Sequence, residues 1–326
     1  MILPPNILIT NYCNQNCSFC FAREEMNDKD QNRNISITDF KTILKKIKNS
    51  GAQTIKLLGG EPTLHPRLVT LLKLSLQSFP SVQIFTNGIY SEKTSQMMAQ
   101  FFPQIKITFN SMTPAFLLKP EMRKIVTQRI QEYAPKTQVT LSLTIDPFTK
   151  LDQFFKLIPD DVLQNVYNYR IGMSNPTAKD RNYYLFSDFP KIGKKLCGLV
   201  QLIKNKSPKA TTSLNCGFAR CMFTNEEFNY IKKNIFILGW SCFGKASSMD
   251  ITTGMEAFHC FPLSPIHRLS IKNTPLKKTD GKFLLKRYEY WKKIQLNKCK
   301  NCPFYGYGEG KCPGPCVAFR MNAQHT

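Results

Sequence analysis

The stretch NYCNQNCSFC, residues 11–20, places three cysteines at spacings of four and three directly behind a short apolar run. That run, residues 7–10, predicts a strand, and loops behind strand ends are where barrel-like α/β folds build active sites. Cys13, Cys17 and Cys20 can therefore converge on one centre. Iron–sulfur clusters normally take one protein ligand per iron, so three thiolates without a nearby fourth leave one iron of a 4Fe-4S cluster open to a ligand.

The N-terminal half continues with strand and helix patterns in alternation. Short apolar runs and amphipathic segments follow one another up to about residue 172, which predicts an α/β fold with a parallel sheet. Helical spacing of apolar residues predicts a helix between Ser36 and Gly51 and another over residues 188–206. The predicted strands are residues 7–10, 54–58, 82–86, 105–109, 138–145 and 166–171.

The last third of the chain has a different character. Beyond residue 207 the apolar periodicity fades, and eight of the twelve cysteines follow. A segment of this size with so little periodic apolar sequence usually needs a metal to hold it. We therefore predict a core of residues 1–207 and a Cys-rich domain of residues 208–326.

Composition and charge narrow the setting. The N-terminus shows neither a signal peptide nor a transmembrane helix, which predicts a cytoplasmic protein without a membrane partner. Twelve cysteines in that reducing compartment indicate metal or redox chemistry rather than a disulfide framework. The net charge of +23 favours a polyanionic partner, such as an acidic peptide or RNA, or else reflects a general drift towards lysine.

The three-cysteine motif, with Phe19 before its last cysteine, resembles the signature of the radical S-adenosylmethionine (radical SAM) superfamily. The resemblance extends to residues 59–61, Gly-Gly-Glu, which follow the second predicted strand and match the family's GGE motif. It implies a partial (β/α)6 TIM barrel with a small Cys-rich C-terminal domain. It also implies that Cys13, Cys17 and Cys20 hold a 4Fe-4S cluster and that S-adenosylmethionine binds its open iron.

The same resemblance suggests which residues contact the cofactor and what the reaction is. Gly59, Gly60 and Glu61 would engage the methionine amino group, and Asn87 and Ser142, at or near strand ends, would make further contacts. Glycines let a backbone approach a ligand because they carry no Cβ atom. The implied chemistry is that of an oxidoreductase. A reductant such as flavodoxin or ferredoxin reduces the cluster, the carbon–sulfur bond of the cofactor breaks homolytically, and the resulting 5′-deoxyadenosyl radical abstracts hydrogen from a substrate.

The C-terminal cysteines resemble the SPASM module of peptide-modifying radical enzymes. Cys299 and Cys302 form a C-x2-C pair, and Cys312 and Cys316 form a C-x3-C pair, as in that module. Two departures stand out: the gap before Cys312 exceeds the module's usual five residues, and no cysteine follows Cys316. By analogy, one auxiliary cluster would use Cys221, Cys242, Cys260 and Cys316, and a second would use Cys299, Cys302, Cys312 and Cys216. The two pairs, Cys299 with Cys302 and Cys312 with Cys316, also suit a structural zinc site.

Three functions remain open on these observations. The leading hypothesis is a maturase that modifies a ribosomally made peptide or protein, whose acidic leader would meet the basic surface. A second is a radical SAM enzyme acting on RNA or a nucleotide, because the C-x2-C-x9-C run loosely resembles that of molybdenum cofactor biosynthesis protein A. The third is a non-catalytic iron–sulfur or zinc-binding protein.

Overall fold

The computed structural model describes residues 2–27, 33–110, 113–148, 151–176, 183–215, 217–235, 248–306 and 311–322. Cys216 and Cys242, both predicted as auxiliary-cluster ligands, lie outside these ranges. The chain divides into two units, which are described separately. Unit 1 consists of residues 1–16, 21–139 and 247–286, and unit 2 of residues 17–20, 140–246 and 287–326.

Unit 1 is built on a mainly parallel sheet. Its strands are β1 (Asn6–Thr10), β2 (Thr54–Gly59), β3 (Ser81–Thr86), β4 (Ile105–Asn110), β8 (Asp250–Ile251), β9 (Glu256–Phe258) and β10 (Leu269–Ser270). They follow the order β10-β9-β8-β1-β2-β3-β4. Strands β1 to β4 run parallel, β8 joins β1 in parallel, and β9 pairs antiparallel with both β8 and β10. The carboxyl ends of β1, β2 and β3 therefore share one edge of this sheet.

Helices connect the parallel strands of unit 1. They are α1 (Arg23–Asn27), α2 (Ile37–Asn49), α3 (Leu68–Ser78), α4 (Glu92–Ala99), α5 (Pro114–Leu118) and α6 (Pro120–Tyr133). Helix α2 shows how the sequence sets their limits. Ser36 Oγ accepts a hydrogen bond from Asp39 N at its start, and Gly51, at φ 82°, follows its end. Its buried face, Phe40, Ile43, Leu44 and Ile47, has the predicted helical spacing.

Unit 2 carries a second run of parallel strands. Strands β5 (Val139–Ile145), β6 (Asn168–Met173) and β7 (Thr211–Leu214) pair in parallel in that order. Its helices are α7 (Leu151–Lys156), α8 (Asp160–Leu163), α9 (Phe189–Lys206), α10 (Asn225–Asn234), α12 (Asn297–Lys300) and α13 (Val317–Asn322). Helix α11 (Leu276–Lys293) runs through the division of the chain at residue 286.

The structure confirms the predicted α/β class with a parallel sheet. The six predicted strands correspond to β1 through β6, with ends that differ by at most two residues, and the predicted helix over residues 188–206 is α9. Strands β7 to β10, in the Cys-rich segment, were not predicted. The two units divide the chain at other positions. The domain boundary between residues 207 and 208 stays a prediction. Within the described ranges, no helix combines the length and apolar character needed to cross a membrane.

Candidate functional site

The carboxyl ends of β1 and β2 are joined by backbone hydrogen bonds that continue beyond the strands. Gly60 N donates to Thr10 O at 2.8 Å, and Glu61 N donates to Tyr12 O at 2.6 Å. Tyr12 immediately precedes Cys13, the first cysteine of the motif. The start of the three-cysteine loop is therefore fixed to the Gly-Gly-Glu turn, as the side-by-side placement of strand ends predicts.

The two glycines of this turn are required by the approach of the β1 backbone. A Cβ atom at Gly59 would lie 2.2 Å from Thr10 O, and one at Gly60 would lie 2.1 Å from Tyr12 O. Both distances are far below van der Waals contact, so any side chain would push the two strand ends apart. The sequence analysis explained these glycines by the close approach of a ligand. The structure shows a second reason, which is the close approach of the β1 backbone.

Glu61 is buried, and its carboxylate ties the turn to the end of β3. Oε1 accepts hydrogen bonds from Thr63 N at 3.1 Å, Thr63 Oγ1 at 2.7 Å and Thr86 Oγ1 at 2.7 Å, and Oε2 accepts one from Asn87 N at 2.7 Å. Burial raises the pKa of Glu61, and the hydrogen bonds from Asn87 and from Thr63 oppose that rise. The carboxylate therefore holds the β2 and β3 ends in one arrangement.

Asn14, within the three-cysteine loop, is fastened to the segment behind β3. Its Nδ2 donates to Ile89 O at 2.8 Å, and its Oδ1 accepts a hydrogen bond from Asn87 Nδ2 at 2.7 Å. Asn87 Oδ1 in turn accepts from Ile89 N at 2.8 Å. Asn87, predicted as a cofactor contact, thus binds Asn14, the residue that follows Cys13, through Nδ2 and binds Ile89 through Oδ1.

Asn11 provides a test of whether a polar ligand fits this edge. The residue is 5% exposed, and its Nδ2 and Oδ1 find no hydrogen-bond partner among the described residues. A buried amide in this state is costly unless a further group satisfies it. The Asn11 amide therefore suits a small ligand with amino and carboxylate groups, such as the methionine end of S-adenosylmethionine.

The three motif cysteines are all described. Cys13 is exposed and its Sγ accepts a hydrogen bond from Gln15 N at 3.4 Å, whereas Cys17 and Cys20 are half-buried. Cys20 N donates to Cys17 O at 3.1 Å, which closes a turn between the second and third thiols. Among the residues that the structure describes, no group of three or more His, Cys, Asp or Glu side chains is placed to hold a single metal ion directly between them.

Ser142, the other predicted cofactor contact, lies in unit 2 beside a cation. It sits opposite Arg170 in the β5–β6 register, and Arg170 Nη1 donates to its Oγ at 3.4 Å. A guanidinium next to a hydroxyl suits a carboxylate ligand. Sequence reasoning missed Arg170 because an arginine within a predicted strand gives no local signal of which neighbour it meets.

A second polar group, also missed, lies at the carboxyl end of β5. Asp146 O accepts hydrogen bonds from Tyr184 Oη at 2.7 Å and from Lys195 Nζ at 3.0 Å, and Lys195 Nζ also donates to Tyr184 Oη at 2.8 Å. Burial lowers the pKa of Lys195 and raises that of Tyr184. Asp146 directly follows β5, whereas Tyr184 and Lys195 are 38 and 49 residues away along the chain. Local sequence therefore does not indicate that the three residues meet.

The described C-terminal cysteines occupy turns and helix ends. Cys260 and Cys302 are half-buried, and Cys316 is buried. Cys221 lies in a short 3-10 helix, Arg220–Met222. Cys221 is exposed as a whole residue, but desolvation of its thiol and the nearby thiols of Cys312 and Cys299 raise its pKa to about 11.

Comparison with known proteins finds one family model that matches the part of the chain that carries this site. A model of the radical SAM superfamily matches residues 7–134. A GTP 3′,8-cyclase of Alkaliphilus metalliredigens (strain QYMF) is 22% identical over 224 residues, which is 63% of this chain and 67% of that protein. The S-adenosylmethionine-dependent nucleotide dehydratase RSAD2 of Siniperca chuatsi is 33% identical over 117 residues, 34% of this chain and 31% of that protein. The chain thus matches less than a third of the second protein's length.

Solved structures extend the likeness of fold to nearly the whole chain. Streptococcus suis SuiB bound to S-adenosylmethionine superposes with a TM-score of 0.70 at 17% identity, covering 98% of this chain and 73% of SuiB. Native anSMEcpe with bound AdoMet superposes with a TM-score of 0.67 at 13% identity, covering 97% and 89% of the two chains. Residues 7–134 therefore match a radical SAM superfamily domain, a match that implies a 4Fe-4S cluster and S-adenosylmethionine as cofactors, and the fold likeness extends over nearly the whole chain.

Proposed function

We propose that this radical SAM enzyme modifies a ribosomally made peptide or protein. The observation that carries the proposal is the extent of the fold likeness to SuiB, which covers 98% of this chain and so includes its Cys-rich segment. One of the solved SuiB structures is bound to the precursor peptide SuiA. The resemblance of Cys299, Cys302, Cys312 and Cys316 to the SPASM pattern supports the same substrate class.

The described residues divide the work of cofactor binding. Cys13, Cys17 and Cys20 would hold the 4Fe-4S cluster, whose one-electron reduction of S-adenosylmethionine supplies hydrogen abstraction from the substrate. The Gly59–Gly60 backbone and the Asn11 amide would receive the methionine end of the cofactor. Other described side chains of the site would hold these binding groups in place.

Positioning rests on two hydrogen-bonded groups of unit 1. The Glu61 carboxylate holds Thr86 and Asn87 against the Gly-Gly-Glu turn. Asn14 and Asn87 fix the residue next to Cys13. Prearranged polar groups of this kind spare a site from reorganising when its ligand binds. In unit 2, Ser142 and Arg170 would receive a carboxylate.

A second candidate is a nucleotide substrate. The GTP 3′,8-cyclase and the nucleotide dehydratase RSAD2 named above are similar in sequence to this chain, and both names specify a nucleotide substrate. Their matches cover 63% and 34% of this chain, whereas the SuiB likeness covers 98%. The wider coverage, which takes in the C-terminal cysteines, favours the peptide.

The radical SAM activity is tested by reconstituting the protein anaerobically and adding S-adenosylmethionine and dithionite. We expect release of 5′-deoxyadenosine, and its loss in the Cys17→Ala variant. Cys197→Ala is the matched control, because Cys197 is half-buried in α9, outside both cysteine patterns. No release by the wild-type protein would refute the activity and favour a binding protein, and undiminished release by Cys17→Ala would refute the role of the three-cysteine motif.

The substrate class is tested with the same preparation. We expect 5′-deoxyadenosine release to rise with a peptide encoded beside this gene and a mass change to appear on that peptide. GTP and other nucleoside triphosphates serve as the competing substrates. A nucleotide product without any peptide product would replace the proposal with the second candidate.

A further inference from the structure

Cys299, Cys302 and Cys312 in unit 2 are brought together by a loop that closes at its base. Cys302 N donates to Cys299 O at 3.2 Å, so the first pair lies in one tight turn. Cys312 N donates to Phe304 O at 2.8 Å, and Gly306 N donates to Cys312 O at 3.1 Å. The long gap before Cys312 therefore does not separate its thiol from the C-x2-C pair.

The 3-10 helix Arg220–Met222 meets this loop at two points. Arg220 N donates to Cys312 Sγ at 3.3 Å. The Arg220 guanidinium carbon lies 4.7 Å from the centroid of the Phe304 ring. Residue 220 is thus held at the base of the loop, and Cys221 is the next residue along the chain.

Electrostatic interactions support the same grouping. The thiols of Cys312, Cys299 and Cys302 each interact with that of Cys221, so all three lie within electrostatic range of it. The loop also has a buried cation. A Cβ atom at Gly314, whose φ is 85°, would lie 3.4 Å from Cys299 Sγ and 2.7 Å from Arg320 Nη2, and Arg320 is 1% exposed.

A cluster bound by four thiolates carries negative charge and is tuned by hydrogen bonds to its sulfurs and by nearby cations. The Arg220 N–H to Cys312 Sγ supplies such a hydrogen bond, and Arg320 supplies the cation beside Cys299. We propose that Cys221 is the fourth ligand of an auxiliary 4Fe-4S cluster whose other ligands are Cys299, Cys302 and Cys312. The proposal rests on the proposed function for the type of metal group, and on these contacts for the ligand set.

This assignment changes two expectations from the sequence. Cys221 takes the place proposed for Cys216, and it leaves the set proposed with Cys242, Cys260 and Cys316. Cys221, which precedes the C-x2-C pair, thus takes the place of the cysteine that would follow Cys316 in the SPASM module. With four protein ligands this cluster has no open iron, unlike the cluster at Cys13, Cys17 and Cys20, so its role is electron transfer or stabilisation rather than cofactor cleavage.

The test counts iron in a protein from which the front cluster has been removed. In a Cys13→Ala/Cys17→Ala/Cys20→Ala background, the further change Cys221→Ala should remove about four irons and four sulfides per chain. Cys197→Ala in that background should leave the count unchanged. The reverse pattern, loss with Cys216→Ala and no loss with Cys221→Ala, would overturn the assignment, and so would zinc in place of iron at these thiols.

A second measurement avoids the folding of variants. Wild-type protein, with and without its clusters, is alkylated and its cysteine peptides are quantified by mass spectrometry. We expect Cys221 to be protected by cluster loading together with Cys299, Cys302 and Cys312, while labelling of Cys197 stays the same. Equal labelling of Cys221 in both states would refute the ligand set. Neither readout uses 5′-deoxyadenosine, so failure of the proposed activity is seen separately.

Discussion

Gly60 allows the carboxyl ends of β1 and β2 to lie close together because it has no Cβ atom. A Cβ atom there would lie 2.1 Å from Tyr12 O, whereas at Gly198, exposed on α9, it would meet no atom within 4 Å. We expect Gly60→Ala to lower the free energy of unfolding by about 1–3 kcal/mol and to reduce the iron bound at Cys13, Cys17 and Cys20. Urea denaturation and iron analysis measure the two effects.

Gly198→Ala makes the same chemical change where there is room for it. Alanine favours a helix interior over glycine, so this variant should gain about 0.5–1 kcal/mol with unchanged iron content. If Gly60→Ala behaved like Gly198→Ala, the close approach of β1 and β2 would not be what requires the glycine.

The residues of the site differ in how far the sequence could predict them. Gly59, Gly60 and Glu61 adjoin one another in a pattern, so their place at the sheet edge could be expected. The partners of Glu61 could not, because Thr86 and Asn87 are 25 and 26 residues away, and Asn14 reaches Ile89 across 75 residues. Such contacts are set by strand order, which local sequence does not state.

At the level of elements, β8 joins the sheet through a buried acid. Asp250 Oδ1 accepts a hydrogen bond from Asn6 Nδ2 at 2.7 Å across the β1–β8 pair. Burial raises the pKa of Asp250 to about 7, while Asn6 and Lys56 oppose the rise and Glu25 adds to it. The folded chain therefore keeps this proton at pH values where the unfolded chain has lost it.

The resulting pH dependence has a definite sign. The contribution of Asp250 to stability is greatest below about pH 4 and is lost as the pH rises through about 7, because the unfolded state loses the proton first. Asp250→Asn removes this titration, so we expect the variant to gain on the order of 4 kcal/mol relative to wild type between pH 4 and pH 8.

Urea denaturation at several pH values measures that difference. Asp152→Asn, at an exposed position of α7, is the matched control and should follow the wild-type pH profile. A constant difference between Asp250→Asn and wild type at every pH would contradict the raised pKa.

Strand length decides which elements the sequence could predict. Strands β1 to β6 have five to seven residues, and apolar residues recur in them at every second position or more often, so the local pattern was enough. Strands β8 and β10 have two residues each and β9 has three, too few to show any period. Strand β8 forms because Asp250 and Ile251 pair with Asn6 and Ile7 of β1, which are far away along the chain.

At the scale of the whole molecule, the net charge would attract an acidic peptide substrate before the two molecules are in contact. The chain has 45 Lys and Arg against 22 Asp and Glu, a net charge of +23. We expect an acidic leader peptide to bind more weakly as salt rises, because the Debye length shrinks from about 8 Å at 0.15 M to about 3 Å at 1 M. Fluorescence anisotropy with a labelled leader measures this, and a neutral peptide of equal length is the control. A salt-independent affinity for the acidic leader would show that its recognition does not use the net charge.

The closed base of the Cys302–Cys312 loop bears on how such enzymes diverge. Since Phe304, Gly306 and Cys312 are joined by their own backbone hydrogen bonds, residues inserted beyond that junction need not shift the thiols. An insertion there would lengthen the loop and leave the order of the cysteines unchanged. We therefore expect the cysteine order and the hydrogen-bonded loop base to identify related chains better than a fixed number of intervening residues.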